Sequence, residues 1–175
     1  TPWLYAAGNH DLDFDAPDDA RSLETFRNQF GPDTFAWEET KANFIVLDDV
    51  VYLPGERPDY IGGLRESQFA FLQTYLAQAD KAKLLVIAAH IPLFQNGSGR
   101  ETFRSADRRR LFALLEPFRD VLLLTSHAHT QTQVLHGPDS GWSGSGRLYE
   151  YSAGATCGAF WSGVKDASGI PDSTM

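Results

Sequence analysis

The sequence predicts an α/β fold in which helices pack in layers against a β-sheet. Short apolar segments typical of buried strands alternate along the chain with stretches whose apolar residues recur at helical spacing. The composition, 42% hydrophobic and 22% charged in 175 residues, is that of a packed globular protein rather than a disordered one. In such a fold, ligands are expected beyond the carboxyl ends of the strands.

The first part of the chain predicts a strand, a helix and a hairpin. Residues 3–7 are apolar and run into the turn-forming residues 8–11. Apolar residues at helical spacing predict a helix at about residues 19–30. Residues 34–39 and 43–48 are rich in aromatic and β-branched side chains, and we expect them to form two strands of a hairpin.

The rest of the chain alternates between predicted helices and strands. Glycine and proline make residues 54–63 a predicted loop. Two helices follow, with apolar stripes at Phe69, Leu72, Leu76 and Ala79 in one and at Leu111, Leu114, Leu115 and Phe118 in the other. Residues 84–89 and 121–124 are continuously apolar and predict strands buried on both faces. Residues 133–136 and 147–152 predict two final strands.

Polar side chains able to carry chemistry follow three of the predicted strands at the point where each strand ends. Four of the five histidines of the chain are among them. These residues are Asn9, His10 and Asp11, then His90, then His127 and His129. Histidines scattered at random would rarely fall at these places, so this coincidence is the strongest indication of function in the sequence.

Each part of this pattern also has a purely structural explanation. His127 and His129 would face the same side of an extended backbone, but two unrelated histidines in a loop explain the spacing equally well. A single histidine such as His90 is more often a hydrogen-bonded structural residue. Residues 8–11 could form a tight turn and nothing more.

Composition excludes several classes of function. A formal net charge of −8 argues against binding to nucleic acids and anionic membranes. The longest apolar run is far shorter than the roughly 20 residues of a membrane-spanning helix. Cys157 is the single cysteine, so an internal disulfide and a cysteine-rich zinc site are both excluded. Metal ligands, if any, would be histidine, asparagine or carboxylates.

Taken together, three segments closely resemble the second half of the calcineurin-like metallophosphoesterase signature. The family motifs are DxH, GDxxD, GNH(D/E), H and GHxH. Gly8-Asn9-His10-Asp11, His90 and Ser126-His127-Ala128-His129 match the last three in order, over roughly residues 4–130. The resemblance implies the family's four-layer αββα sandwich and a metal-dependent phosphoester hydrolase, either a phosphatase or a phosphodiesterase.

The resemblance also implies roles for these residues. The metal ligands would be Asn9, His90 and His127 for one ion and His129 for the other. His10 would face the substrate, a phosphate-ester small molecule or a phospho-substrate, as general acid or stabiliser of the leaving oxygen, and Asp11 would orient it. Two divalent ions can activate a bridging water for in-line displacement at phosphorus. Mixed oxygen and imidazole ligands suit Mn, Fe, Zn or similar ions.

Two departures from the family pattern shape the expected domain organisation. Ser126 stands in the place of the glycine of GHxH, which a negative φ would allow. DxH and GDxxD do not occur, so we expect an upstream segment of the same parent protein to complete the site. Residues 1–160 are then the distal part of the metallophosphoesterase domain, and residues 161–175 are a tail or linker towards a further C-terminal domain.

The stretch around residues 154–161 resembles bacterial multi-domain members of the family, which favours an extracytoplasmic location over a cytoplasmic one. The missing motifs leave open a non-catalytic binding module that keeps the fold with an incomplete metal site. A mononuclear metal protein of unrelated fold is a third possibility.

Overall fold

The computed structural model describes residues 3–94, 101–154 and 165–169. Within these ranges the chain forms three α-helices and eight β-strands. The helices are α1 (Glu24–Phe30), α2 (Glu66–Gln78) and α3 (Ser105–Leu115). The strands are β1 (Phe35–Glu38), β2 (Ala42–Val46), β3 (Val50–Leu53), β4 (Asp59–Gly62), β5 (Leu84–Ala88), β6 (Asp120–Thr125), β7 (Thr132–Leu135) and β8 (Arg147–Ser152).

The strands form a six-stranded mixed sheet and a separate two-stranded sheet. The strand order of the large sheet is β1-β2-β5-β6-β8-β7, with the four central strands parallel and β1 and β7 antiparallel at the edges. The small sheet pairs β3 with β4 in antiparallel fashion. The predicted α/β class is therefore confirmed, and the carboxyl ends of β2, β5, β6 and β8 meet at one edge.

One face of the large sheet forms the core with the helices. Alternate residues of the central strands, Ile45, Leu85, Ile87, Val121, Leu123 and Leu148, are almost completely buried. They pack in one hydrophobic cluster with Phe69, Leu72 and Leu76 of α2 and Leu111, Phe112 and Leu115 of α3. Because strand side chains alternate between faces, this packing uses only half of the sheet.

The opposite face of the sheet carries an apolar row that crosses all six strands. Strand register places its members side by side: Trp37, Phe44, Val86, Leu122, Tyr149 and Leu135. Val86 in the middle is buried, the next residues outward are half-buried, and Leu135 at the edge is 67% exposed. None of the six belongs to the cluster formed with the helices.

Most of the predicted elements are confirmed, and two predictions are wrong. The hairpin, the second and third helices and the four later strands agree with the structure within a few residues, whereas the first helix is shortened to α1 behind a 3-10 turn. Residues 54–63, predicted as a loop, contain β4. The predicted N-terminal strand at residues 3–7 is absent, and Trp3, Leu4 and Tyr5 are exposed. A strand needs a neighbour for its backbone hydrogen bonds, and no described segment pairs with these residues.

The single cysteine, Cys157, and the predicted domain boundary after residue 160 lie outside the described residues. Among the residues that the structure describes, no helix is long and apolar enough to cross a membrane.

Candidate functional site

The candidate site lies at the carboxyl edge of β5 and β6, which are parallel neighbours in the large sheet. His90 follows β5 by two residues and His127 follows β6 by two residues. Asn9 arrives from the other end of the chain on a short 3-10 turn, Asn9–Asp11. The rule that ligands bind beyond the carboxyl ends of parallel strands therefore places His90 and His127 correctly.

Three side-chain atoms form a compact triangle at this edge. The Asn9 Oδ1 atom lies 2.8 Å from His90 Nε2 and 3.2 Å from His127 Nδ1. The two ring nitrogens are themselves 3.1 Å apart. The residues are separated by 81, 118 and 37 positions in the chain, so tertiary folding brings these atoms together.

The three atoms lie within hydrogen-bond distance of one another, and the same spacing is compatible with one divalent metal ion. Neighbouring ligand atoms around an octahedral ion with bonds of about 2.1 Å are about 3.0 Å apart, close to all three separations. One amide oxygen and two imidazole nitrogens suit Mn, Fe, Zn or a similar ion. Among the described residues, no group of three or more His, Cys, Asp and Glu is arranged to hold a metal ion, so the fit depends on the asparagine oxygen.

Both imidazoles of the triangle are held in the neutral form. Burial, together with positive charge on His127, His10 and His129, lowers the pKa of His90 to about 4. Burial and the same neighbours, His129 and His10, also lower the pKa of His127. A metal ion binds only the neutral ring, so the lowered pKa values favour the form of both rings that can bind an ion.

The segment that carries His127 and His129 is not extended, contrary to the prediction from their spacing. Both residues have left-handed backbone angles, with φ values of 59° and 56°. The Ala128 N–H donates to the Ser126 carbonyl at 2.6 Å, which closes a γ-turn around His127. The two imidazoles are therefore aimed by a strained turn after β6 rather than by strand alternation, and such strain is concentrated at functional sites.

Ser126, in the place of the glycine of GHxH, is not among the described residues with positive φ, so its side chain is tolerated. Its hydroxyl lies 3.2 Å from His90 Nδ1 and holds the ring of that histidine from the side opposite the triangle.

The His90 ring leaves no room for a side chain at position 8, where the sequence has glycine. A Cβ atom at position 8 would lie 2.9 Å from both Nδ1 and Cε1 of His90, which is closer than real Cβ atoms come to other atoms. The φ of Gly8 is −124°, so the requirement for glycine is steric and not conformational. The sequence suggested a turn glycine, but only the folded chain shows which ring needs the space.

The other predicted site residues lie around the triangle. His10 and Asp11 are exposed on the same 3-10 turn as Asn9. The Asp11 Oδ2 atom accepts the Gly8 N–H at 2.8 Å, so this carboxylate shapes the turn; its role in orienting His10 stays a prediction. His129 is half-buried and interacts electrostatically with His90 and His127. Its role as a ligand of a second ion also stays a prediction.

Two buried carboxylates that sequence reasoning missed hold the loops of the site. Asp49 accepts the backbone N–H groups of His90 and Ile91. Glu150 accepts the Leu93 N–H and the Thr125 hydroxyl, and its other oxygen pairs with buried His136 at 2.8 Å. Burial raises the pKa of Asp49 well above its usual range. Asp49 closely follows β2, so the strand-end rule that singled out His90 also points to it.

A cavity of about 170 Å³ opens beside the triangle. Its lining residues are Asp59, Tyr60, Ile61, Ile91, Glu101, Thr102 and His127. The Tyr60 ring meets the His127 ring edge-on, with centroids 5.8 Å apart. A small organic group in this cavity would therefore lie directly against one member of the triangle.

Comparison with known proteins adds no identification. The chain matches no protein-family model and no curated protein.

Proposed function

We propose that the protein is a metal-dependent phosphoester hydrolase whose site is built around Asn9, His90 and His127. The proposal is carried by one observation: an amide oxygen and two neutral imidazole nitrogens converge at separations of 2.8 to 3.2 Å. The resemblance of the same residues to the metallophosphoesterase motifs supports phosphoester hydrolysis as the reaction. When bound, divalent ions in such a site lower the pKa of water and offset negative charge on phosphoryl oxygens.

Each residue of the site would have a separate role that depends on its position. Asn9, His90 and His127 would hold one ion. His129 would serve a second ion, whose remaining ligands would come from outside the described residues. His10 is exposed beside the triangle and, in its protonated imidazolium form, would deliver a proton to the leaving oxygen of the ester. The cavity beside His127 would take the organic part of the substrate, with Tyr60 forming one wall.

The apolar row on the open face of the large sheet supports the finer proposal of a four-layer sandwich. A continuous row of half-buried and exposed apolar side chains favours packing against another element. We propose that a second sheet, from a segment outside the described residues, packs on this face as in the αββα arrangement. The same segment would supply the missing ligands of the second ion.

A metal-binding module without catalysis is the second candidate function. Two observations favour it. The structure contains one triangle of ligand atoms, and among the described residues no group of three His, Cys, Asp or Glu side chains could hold a second metal ion. A single ion held by three protein atoms can bind a phosphorylated ligand without hydrolysing it.

The test measures Mn²⁺ binding and hydrolysis of a generic phosphomonoester and phosphodiester by the intact protein. Asn9→Ala is compared with Asn28→Ala, which removes the same side chain from an exposed position on α1. We expect Asn9→Ala to weaken Mn²⁺ binding and lower kcat/KM by about 10-fold or more, and Asn28→Ala to change neither.

A third variant, His10→Ala, separates catalysis from binding. Loss of a proton donor lowers kcat by about 100-fold or more while Mn²⁺ binding stays unchanged. Metal binding without any hydrolysis above a metal-only control would favour the binding module. Absence of metal binding would reject both functions.

A further inference from the structure

Asp49 contacts His90 through the backbone N–H group of that histidine. The side chain of Asp49 is almost completely buried, in the connection between β2 and β3. Its Oδ1 atom accepts the N–H of His90 at 2.8 Å and the N–H of Ile91 at 3.1 Å, and its Oδ2 atom accepts the Ile91 N–H at 3.0 Å. One carboxylate thus holds two consecutive peptide groups.

These contacts fix the direction in which the His90 side chain leaves the backbone. β5 ends at Ala88, so its ladder no longer holds residues 90 and 91 in place. The His90 carbonyl accepts the Ser126 N–H at 2.9 Å, which ties the loop after β5 to the loop after β6. With the N–H on Asp49 and the carbonyl on Ser126, both backbone polar groups of His90 are anchored.

A buried carboxyl group is costly unless it satisfies other buried polar groups, and Asp49 does so for the N–H groups of His90 and Ile91. The two oxygens of this one side chain accept N–H groups from two consecutive residues, so the backbone of His90 and Ile91 is fixed at two points. The anchor therefore fits a part of the chain where the position of one side chain matters.

We infer that Asp49 is a positioning residue that fixes the His90 imidazole through the backbone N–H groups of His90 and Ile91, so that Nε2 already stands beside Asn9 and His127 before a ligand binds. The expected effect of Asp49 on metal affinity rests on the proposed function, whereas its effect on the orientation of the His90 ring does not.

The neighbouring residue offers a matched control. Asp48 is as deeply buried as Asp49. Its carboxylate accepts the Val50 N–H at 3.0 Å and pairs with Arg65 at 2.6 Å, both away from the His90 loop. Removing either carboxylate empties a buried polar position, but only Asp49 anchors His90.

The experiment compares the intact wild-type protein with Asp49→Ala, Asp48→Ala and the conservative variant Asp49→Asn, whose amide oxygen keeps the Oδ1 acceptor. Imidazole ¹⁵N signals report the surroundings of each ring in the metal-free protein, and Mn²⁺ titration reports affinity. We expect Asp49→Ala to shift the His90 and His127 signals while His136 stays in place, and to raise the Kd for Mn²⁺ about 10-fold or more. Asp49→Asn should restore most of the affinity, and Asp48→Ala should leave the Kd within about 2-fold of wild type.

Unchanged His90 signals in Asp49→Ala, or equal losses of affinity in Asp48→Ala and Asp49→Ala, would overturn the inference. If Asp49→Ala does not fold, amide hydrogen exchange in the wild-type protein tests whether the N–H groups of His90 and Ile91 are anchored. Slow exchange at both His90 and Ile91 supports the anchor, and exchange as fast as in an open loop rejects it. A wild-type protein that binds no Mn²⁺ while Asp49→Ala still shifts the His90 ring rejects the proposed function and leaves the positioning role standing.

Discussion

Surrounding residues hold the two imidazoles and the amide oxygen of the site close to one another. The rings of His90 and His127 are 4.9 Å apart between centroids, at an angle of 70°. Gly8 makes room for the first ring, and the turn around His127 aims the second. Because burial also lowers both pKa values, the two rings can stay close without charge repulsion.

Gly8→Ala should displace the His90 ring without straining the backbone. The added Cβ would lie 2.9 Å from ring atoms of His90, so the ring has to move away. We expect about 10-fold or more weaker Mn²⁺ binding, as for loss of other residues that orient a ligand. Titration of wild type, Gly8→Ala and Gly55→Ala checks this, since position 55 has nothing within 4 Å of the new methyl group. Equal affinities of all three would show that the ring is not confined.

Asp48→Asn should change how stability depends on pH. Burial raises the pKa of Asp48 from 3.8 to about 6, in spite of its ion pair with Arg65. Between these values the folded protein keeps a proton that the unfolded chain releases, so this group's contribution to stability falls as the pH rises. Asparagine does not titrate.

Urea unfolding of wild type and Asp48→Asn at about pH 4 and about pH 7 measures this effect. The free energy of unfolding of wild type, relative to the variant, should fall between these pH values by at most about 3 kcal/mol, given about 1.4 kcal/mol per pKa unit. A difference that does not change with pH would contradict the prediction.

At the scale of elements, chain reversals depend on particular backbone angles. α1 ends at Gly31, whose φ of 93° and ψ of −160° are accessible almost only to glycine. The reversal leads the chain from α1 into β1, the edge strand of the large sheet. A residue with a Cβ at this position would either strain the backbone or shift the strand.

Gly31→Ala should therefore lower the free energy of unfolding by about 1 to 3 kcal/mol. Gly137→Ala is the matched control, because φ there is −148° and neither position has any atom within 4 Å of the new methyl group. We expect the control to differ from wild type by less than about 0.5 kcal/mol. Chemical denaturation of the three proteins decides, and equal stabilities would show that conformation at Gly31 is unimportant.

In the part of the chain that the structure describes, the large sheet has helices on one face and an open apolar row on the other. Leu122 lies at the middle of the row, between Val86 and Tyr149. Its face also carries an apolar groove lined in part by Leu84, Leu122 and Leu135. If a second sheet packs there, Leu122 is a core residue of the intact protein.

Leu122→Arg should then lower the unfolding temperature of the intact protein by several degrees, because a charge would be buried without a partner. Gln73→Arg on the exposed side of α2 is the control and should have almost no effect. Thermal unfolding of both variants checks the prediction. If the two variants prove equally harmless, the row faces solvent and the sandwich arrangement is wrong.

The fold could be predicted wherever local pattern and tertiary context agree. Continuous apolar runs identified β5 and β6 as strands. Their predicted burial on both faces is wrong for the described residues, because Leu84 and Leu124 on the second face are each 38% exposed. The pattern failed for residues 3–7, whose apolar character indicates burial but cannot supply the neighbouring strand that a sheet requires. It also failed for β4, where the glycine at position 62 suggested a loop although it permits close approach by Phe103.

Apolar runs in the sequence were enough to predict which residue types stand at the ends of β5 and β6 and on the turn at Asn9, since strand ends can be read from such runs. Tertiary structure alone decided that Asn9, His90 and His127 form a triangle while His129 stands beside it. It also decided that Asp49 anchors His90. A local sequence pattern determines secondary structure and therefore which residues follow each strand. The distances between residues 37 to 118 positions apart depend instead on the order of the strands in the sheet and on the geometry of the loops.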